Sequence, residues 1–441
     1  MTVSGVRGII GQTMTPTLAA ELGAAFGSHI GGGTIAVGRD SRPSGAMVRS
    51  ALAGGLLATG CNVIDLGIVS TPGVAVMILE RGDAGGVVIT ASHNPMNWNG
   101  IKFLTSEGFA PPPDIADKIL ARYRDKSFTL ADVDHVGHIL RDDSTHERHV
   151  ARVLDVLDVE AIREKNLKVV LDSVNGAGGR GGHMLLDRLG CHVSHVNAEP
   201  TGLFAHPPEP TEENLTDLCD AVRKHDADIG FAQDPDADRL AVVDNHGRYI
   251  GEEYTVALAA RFMFARKPGA AAVNLSTSRM IDDVAAQVAG GCVVHRTPVG
   301  EANVARAVLE HGCVMGGEGN GGIIDPRVST VRDSFVGIGL ILNLLADEDR
   351  PLSAVVDEMP HYVMLKKKFE LDRDKIDAWL RRVPEVVGDG RLNDMDGMRI
   401  DWPDGWVHLR PSNTEPIARV IAEAPDSATA ESLVKRVTAL L

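Results

Sequence analysis

Aromatic side chains are scarce: 4 Trp, 4 Tyr and 10 Phe among 441 residues, or 4%. Little ring surface is therefore on offer for stacking bases or sugar faces. Positive charge is also in deficit, with 44 Lys+Arg against 60 Asp+Glu and a formal net charge of −16. No long Lys/Arg run offsets that balance. General binding to nucleic acid or anionic membranes, which needs a basic footprint, drops out. The five cysteines (Cys61, Cys191, Cys219, Cys292, Cys313) are widely spaced and contain no CxxC pair. Neither a disulfide framework nor a zinc site is expected, and the usage suits a reducing compartment. The start, MTVSGVRGIIG, lacks the basic and apolar regions of a leader, and the most apolar window, Phe335 to Ala346, is too short to span a bilayer. A soluble cytoplasmic protein is the expectation. The sixteen histidines show no HExxH-like spacing and are read as structural or exposed.

Glycine, by contrast, is plentiful at 47 residues, and 44% of the chain is hydrophobic. The length predicts two to four domains with real cores. Short β-rich runs (Thr34–Val37, Asn62–Asp65, Gly86–Thr90, Lys168–Leu171, His192–His195, Asp228–Ala232, Ala271–Asn274, Cys292–His295) alternate with Ala/Leu-rich runs of helical period. That alternation is the signature of parallel α/β units. Leu240–Asp244 reads as the hairpin partner of Asp228–Ala232, with a turn at Asn245-His246-Gly247. Residues 111–150 turn polar and are expected to hold a boundary. The last 80 residues or so read as an antiparallel α+β unit ending in a helix at Ala428–Leu440. The expected division is 1–143, 144–247 and 248–360 as three α/β domains, and 361–441 as a smaller α+β domain.

Four segments carry chemistry. Thr90-Ala91-Ser92-His93-Asn94-Pro95 follows a strand, where open α/β sheets place ligands. Without a GxSxG elbow a hydrolase is a poor fit, and an Asn-Pro turn closing the strand explains the residues equally well. In Asp234-Pro235-Asp236-Ala237-Asp238-Arg239, carboxylates at i, i+2 and i+4 of an extended loop would project together and suit a hard cation such as Mg²⁺. An EF-hand is excluded, because Arg239 stands at the turn-glycine position and Asn245 at that of the closing Glu. Gly316-Gly317-Glu318-Gly319-Asn320-Gly321-Gly322 sets an acid and an amide, suited to vicinal hydroxyls, in backbone that a ligand can approach closely; a plain flexible loop is the alternative. Arg410-Pro411-Ser412-Asn413-Thr414-Glu415-Pro416, with Arg419, gathers the donors of an anion cup more densely than a surface turn requires. The GxGxxG match at Gly176–Gly181 stands alone and is read as a tight strand-to-helix turn, not a nicotinamide site.

In this order the four segments resemble the α-D-phosphohexomutase superfamily, which includes phosphoglucosamine mutase, phosphomannomutase and phosphoglucomutase. Ser4-Gly5-Val6-Arg7-Gly8, Gly38 to Gly45, Asn99-Gly100-Ile101-Lys102 and Thr297-Pro298-Val299-Gly300 add to the likeness, which spans nearly the whole chain. The resemblance implies a heart-shaped four-domain isomerase, an intramolecular phosphotransferase with its site in the central cleft. Ser92 would carry a phosphoryl group, and Mg²⁺ would be held by it and by Asp234, Asp236 and Asp238. Arg7, Lys102, His93 and Arg239 would serve the transfer, with Lys102 exchanging the sugar proton. Thr297, Gly300, Glu318 and Asn320 would read the sugar, and Arg410, Ser412, Asn413, Thr414 and Arg419 would hold the idle phosphate. A hexose 1,6-bisphosphate would be intermediate and activator, a phosphosugar the substrate, and the enzyme a monomer or homodimer.

Two departures stand out. Gly322 occupies the place of a histidine found in many bacterial members, and the metal loop reads DPDADR in place of the commoner DGDGDR. The GEGNGG form looks like archaeal-type phosphoglucosamine and phosphomannose/phosphoglucose mutases. Phosphoglucosamine mutase is preferred, with phosphomannomutase/phosphoglucomutase as the alternative. A sugar-phosphate phosphatase and a silent sugar-phosphate-binding paralogue are the rivals, and the second conflicts with the presence of Ser92 and all three acids. Ser92 is read as an exposed loop residue that contributes little to stability.

Overall fold

A computed structural model describes residues 5–412 and 417–441. Its strands form four sheets. In the first, Gly33–Arg39 lies between Cys61–Ile68 and Gly85–Ile89, parallel to both; Trp98–Thr105 and Val6–Ile9 add antiparallel strands on one side, and Ile139–Arg141 closes the other. The second sheet sets Lys168–Asp172 parallel to His192–Val196 and Ile229–Gln233, with Leu240–Val243 antiparallel at the edge. The third repeats the arrangement, with Ala270–Asn274 parallel to Val293–Thr297 and Met315–Glu318, and Gly322–Ile324 antiparallel. The fourth, Val363–Glu370 with Ile417–Ala424, Gly405–Pro411, Met398–Trp402 and Arg391–Asn393, is antiparallel throughout.

One device recurs in the first three sheets. A buried parallel strand (Gly85–Ile89, Ile229–Gln233 or Met315–Glu318) is followed by a short loop and an antiparallel return strand. The segments led by Ser92, Asp234 and Gly319 are those three loops, at the carboxyl ends of parallel strands where side chains and backbone can face a ligand. The strands' uniform burial explains their Val/Ile/Gly-rich runs without alternation.

Two local readings differ from expectation. The loop Asp234–Arg239 is itself the connection of the Ile229–Gln233/Leu240–Val243 hairpin, and the Asn245-His246-Gly247 turn comes after it. The polar stretch after 111 contains a helix, Pro113–Arg124, which buries only Ala116, Ile119 and Leu120. So narrow an apolar stripe is easily missed in sequence.

The second and third units share one core. Leu171, Phe231 and Val242 pack in the same cluster as Val256, Phe335 and Ile341. The helix Ser334–Glu348, which contains the most apolar window, lies buried there, and no helix among the described residues is long and apolar enough to cross a membrane. The fourth unit has a core of its own, built on Trp379, Val407, Leu409, Val420 and Val434.

Candidate functional site

The Ser92 loop is held by a residue inside the protein. Arg42, fully buried, donates from Nη2 to the carbonyls of Ser92 and Asn94 (both 2.6 Å) and from Nη1 to that of Pro95 (2.7 Å). Its Nε pairs with Asp40 at 3.0 Å, and the Thr90 hydroxyl donates to the same carboxylate at 2.7 Å. This cage holds Ser92 at φ 51, a left-handed conformation costly for a residue with a side chain. Ser92 is 1% exposed, which corrects the exposed-loop reading. Its Oγ donates to Asp234 Oδ2 at 2.9 Å and lies 3.3 Å from His93 Nδ1.

The three aspartates do converge, but not by extended alternation. The loop is a tight turn with Ala237 at φ 54, and Asp234 Oδ1 accepts from the backbone N–H groups of Asp238 and Arg239 (3.1 and 3.2 Å). One carboxylate oxygen from each acid lies within 4.8 Å of the others, and all three residues are fully buried. Two glycines of the GxGxxG segment let this packing happen. A Cβ at Gly176 would meet the Pro235 backbone at 2.8 Å, and one at Gly178 would strike Gln233 at 2.4 Å.

The charges are tightly coupled. Burial, reinforced by Asp238 and Asp236, drives the Asp234 carboxyl well above its ordinary range. Burial pushes Asp238 the same way, but Arg332, Lys102 and Arg239 outweigh it and hold that carboxyl low. Lys102 Nζ, from the strand Trp98–Thr105, reaches Asp236 at 2.8 Å and Asp238 at 3.4 Å, and the Thr71 hydroxyl donates to Asp236 at 2.6 Å. Asp236 Oδ1 and Asp238 Oδ1 are buried with no hydrogen-bond partner. Two orphaned oxygens beside a serine hydroxyl, in an all-oxygen donor set, fit a hard divalent cation.

These groups sit at one end of a cleft of about 930 Å³ whose walls come from all four units. Arg7, His93, Lys102 and Arg239 line it. Arg7 donates to Asn94 Oδ1 at 3.2 Å. Burial and the charges of Arg239 and Arg7 push the His93 imidazole down to about 2, so it is neutral at physiological pH. Gly300, Glu318 and Asn320 line the middle; Glu318 accepts from Asn274 at 2.8 Å and from the Gly300 N–H at 3.2 Å, and Asn320 Oδ1 is buried without a partner. Thr297 is not among the lining residues: it is buried, with its hydroxyl donating to the Pro298 carbonyl at 2.9 Å.

Arg410 and Arg419 line the far wall, and the Ser412 N–H bonds the Ile417 carbonyl at 2.9 Å. Asn413 and Thr414 lie outside the described residues. Sequence reasoning missed Lys368, which stands directly opposite Arg419 across the sheet as Arg419 stands opposite Arg410. Opposed residues of antiparallel strands share a face, so three cations form one row along the cleft. The Lys366-Lys367-Lys368 run was the available signal. Asp396 was missed as well; it pairs with Arg410 Nε at 3.2 Å and accepts from the Val299 N–H at 2.9 Å, tying the cationic wall to the third unit. Arg332, Glu301 and Glu253, all lining residues, also went unread. The Arg332 guanidinium bonds Asp238 (2.6 Å), Glu318 (2.6 Å) and Glu301 (2.8 Å) at once.

Comparison with known proteins agrees along the whole chain. Family models described as phosphoglucomutase/phosphomannomutase, alpha/beta/alpha domains I, II and III, match residues 1–130, 147–247 and 251–362, and that of the C-terminal domain matches 367–440. A protein of Methanopyrus kandleri named "Probable phosphoglucosamine mutase" is 39% identical over 436 residues, covering 98% of this chain and 95% of the relative. A Thermococcus kodakarensis protein named "Phosphoglucomutase/phosphomannomutase" is 39% identical over 429 residues, 95% of this chain and 93% of the relative. The solved structure of a phosphoglucomutase/phosphomannomutase family protein from Burkholderia thailandensis superposes with a TM-score of 0.86 at 29% identity, covering 99% of this chain and 96% of that one. A four-unit architecture, three repeated hairpin loops around one cleft and matches to all four family domains lead to one assignment: the chain belongs to the phosphoglucomutase/phosphomannomutase family.

Proposed function

We propose that the protein is a phosphohexomutase that interconverts hexose 6-phosphate and hexose 1-phosphate, with glucosamine phosphate as its substrate. The observation that carries this reading is the pairing of Ser92 Oγ with Asp234 at 2.9 Å, beside two orphaned carboxylate oxygens, in the cleft whose opposite wall bears the cation row. Ser92 carries a phosphoryl group in the working enzyme. A sugar hydroxyl oxygen attacks that phosphorus, the bond to Oγ breaks, and a hexose 1,6-bisphosphate results. The bisphosphate reorients, Oγ attacks its other phosphoryl group, and the isomeric monophosphate leaves. The same bisphosphate, supplied from outside, primes an unphosphorylated enzyme.

Asp234, Asp236, Asp238 and the phosphorylated Ser92 would hold Mg²⁺, which neutralises transferring phosphoryl oxygens when bound. Arg7 and Arg239 add fixed positive charge around the same group, which is most of what phosphoryl transfer requires. Lys102 exchanges the proton that the sugar hydroxyl loses in one half-reaction and regains in the other. His93, being neutral, orients the serine loop by hydrogen bonding. Glu318 and Asn320 read hydroxyls common to both sugar orientations, while Arg410, Ser412 and Arg419 grip the phosphate that is not reacting. Sequestering the bisphosphate between the walls lets transfer outrun hydrolysis.

The Thermococcus relative's name supports glucose or mannose phosphates as a second reading of substrate. Side-by-side kcat/KM values for glucosamine, glucose and mannose 6-phosphates, with Mg²⁺ and the matching bisphosphate, decide between them. Stoichiometric phosphate release without isomer formation would replace the mutase reading with a phosphatase.

A further inference from the structure

Resting on that reading of the site, we propose that Arg332 is a positioning residue that aims both the sugar-reading carboxylate Glu318 and the metal-loop carboxylate Asp238, from a berth that exists only because residue 322 is glycine. The berth is visible in the packing. A Cβ at Gly322 would fall 2.1 Å from Arg332 Cδ, 2.7 Å from Cγ and 3.1 Å from Cβ, so the arginine stem lies flat against the backbone there. A side chain at 322 fits only if the Arg332 stem shifts out of this position.

From that berth the guanidinium distributes its donors among three carboxylates of different segments. Nη2 bonds Asp238 Oδ2 in the aspartate loop, Nη1 bonds Glu318 Oε2 at the end of its strand, and Nε bonds Glu301 Oε2 at the start of a helix. A planar fork can satisfy three acids at fixed angles in a way an ammonium cannot. The consequence for each acid is specific. Asp238 Oδ2 is occupied, so the orphaned Oδ1 is the oxygen left for a cation. Glu318 Oε2 is likewise occupied, while Oε1 is held by Asn274 and the Gly300 N–H, which pins the carboxylate plane that faces the cleft. Partners of this kind behind a metal ligand commonly change metal affinity about 10–100-fold when removed.

The test compares Arg332→Met, Arg332→Lys, Gly322→Ala and the Gly322→Ala/Arg332→Met double variant. Mg²⁺ affinity is measured by calorimetry and KM and kcat with glucosamine 6-phosphate, alongside thermal midpoints. Arg332→Met is expected to weaken Mg²⁺ and raise KM by about tenfold or more each. Arg332→Lys should recover part of the Mg²⁺ affinity, because an ammonium can still donate to and orient the Asp238 carboxylate, but little of KM. Gly322→Ala should reproduce Arg332→Met by evicting the stem, and the double variant should be no worse than the poorer single one. Should Arg332→Met fail to fold, Gly322→Ala and Arg332→Lys still decide. The proposal is overturned if either Gly322→Ala or Arg332→Met leaves Mg²⁺ affinity and KM within about twofold of wild type, or if the two changes add. The Mg²⁺ titrations need no turnover. A wild type that binds Mg²⁺ yet interconverts no hexose phosphate would therefore fail the mutase reading while leaving the Arg332 result intact.

Discussion

At the Ser92 end of the cleft, charges are buried and already engaged: Lys102 with Asp236 and Asp238, Arg332 with three acids, Arg42 with Asp40 and three backbone carbonyls of the serine loop. At the far end, Lys368, Arg419 and Arg410 stand abreast on a sheet that has its own separate core, and Lys368 is exposed. The contrast fits two different demands. Transferring a phosphoryl group needs dry, immobile dipoles, because electrostatic preorganisation loses its value when side chains and water must reorganise. Gripping an idle phosphate needs only positive charge that can open and close, and a unit with an independent core can move as a body. Asp396, pairing with Arg410 while accepting from Val299, is one of several ties between the fourth unit and the third; Ser276 with His408 and the Arg279 N–H with Glu423 are others.

The sharpest way to break the comparison is at Ser92. Ser92→Ala should abolish isomerisation, a loss of about 10⁴-fold or more in kcat, as for other covalent nucleophiles. The stability cost should stay near 1 kcal/mol, that of one buried hydrogen bond. Wild-type-like turnover would remove the phosphoserine role. Next, Arg42→Met should destabilise the chain by roughly 3 kcal/mol or more, since it strips a buried charge pair and several carbonyl partners together. Denaturant unfolding measures it, and a change under about 1 kcal/mol would mean that the serine loop holds its conformation without the cage.

The cationic wall should respond more mildly and in a different parameter. Arg410→Gln is expected to raise KM about 10–100-fold with a smaller change in kcat, the range for a hydrogen bond to a charged group. Lys368→Gln, at an exposed position, should raise KM only a few-fold. An equal fall in kcat at constant KM for either variant would place these residues with the chemistry and erase the distinction between the two ends.

The smallest effect is a pH signature between them. Glu253 lines the cleft against Gly319, accepts from the Ser278 N–H at 2.8 Å, and burial pushes its carboxyl up to about 8. The native state then holds a proton that the unfolded chain releases near the ordinary glutamate value of 4.5, so this group lowers stability progressively as pH rises from about 4.5 to about 8. Glu253→Gln should remove that slope. Thermal midpoints of the two proteins should agree near pH 5 and separate in favour of the variant by pH 8. A constant difference across that range would show that the carboxyl is ionised throughout.

Much of this was legible beforehand because it is local. The parallel strands announce themselves as short apolar runs, and the acids at 234, 236 and 238 stand out by their closeness along the chain, although a tight turn and not extended alternation brings them together. The residues that were not legible act over distance. Arg42 is 50 positions from the serine whose carbonyl it holds, and Arg332 reaches Asp238, which is 94 positions away. Arg42 falls in the Gly38–Gly45 segment, which added to the family likeness without showing what the arginine holds, and Arg332 sits in no pattern of its own. Lys368 could have been read from its tri-lysine run, but only strand register shows that it shares a face with Arg419 and Arg410. Thr297, a sequence neighbour of the cleft, donates its hydroxyl to the Pro298 carbonyl, a contact that its sequence did not announce.

The sequence by itself therefore determined the class of fold and the clustering of three acids, since these follow from hydrophobic period and from carboxylates set close along the chain, whereas the roles of the serine and the glycine-rich loop rested on family resemblance. Only the tertiary structure decided which oxygens of those acids lack a hydrogen-bond partner, how closely the Arg332 stem lies against Gly322, and which cations form one row along the cleft. Those outcomes depend on side chains from separate units meeting at hydrogen-bond distance, and that distance is set by packing rather than by order along the chain.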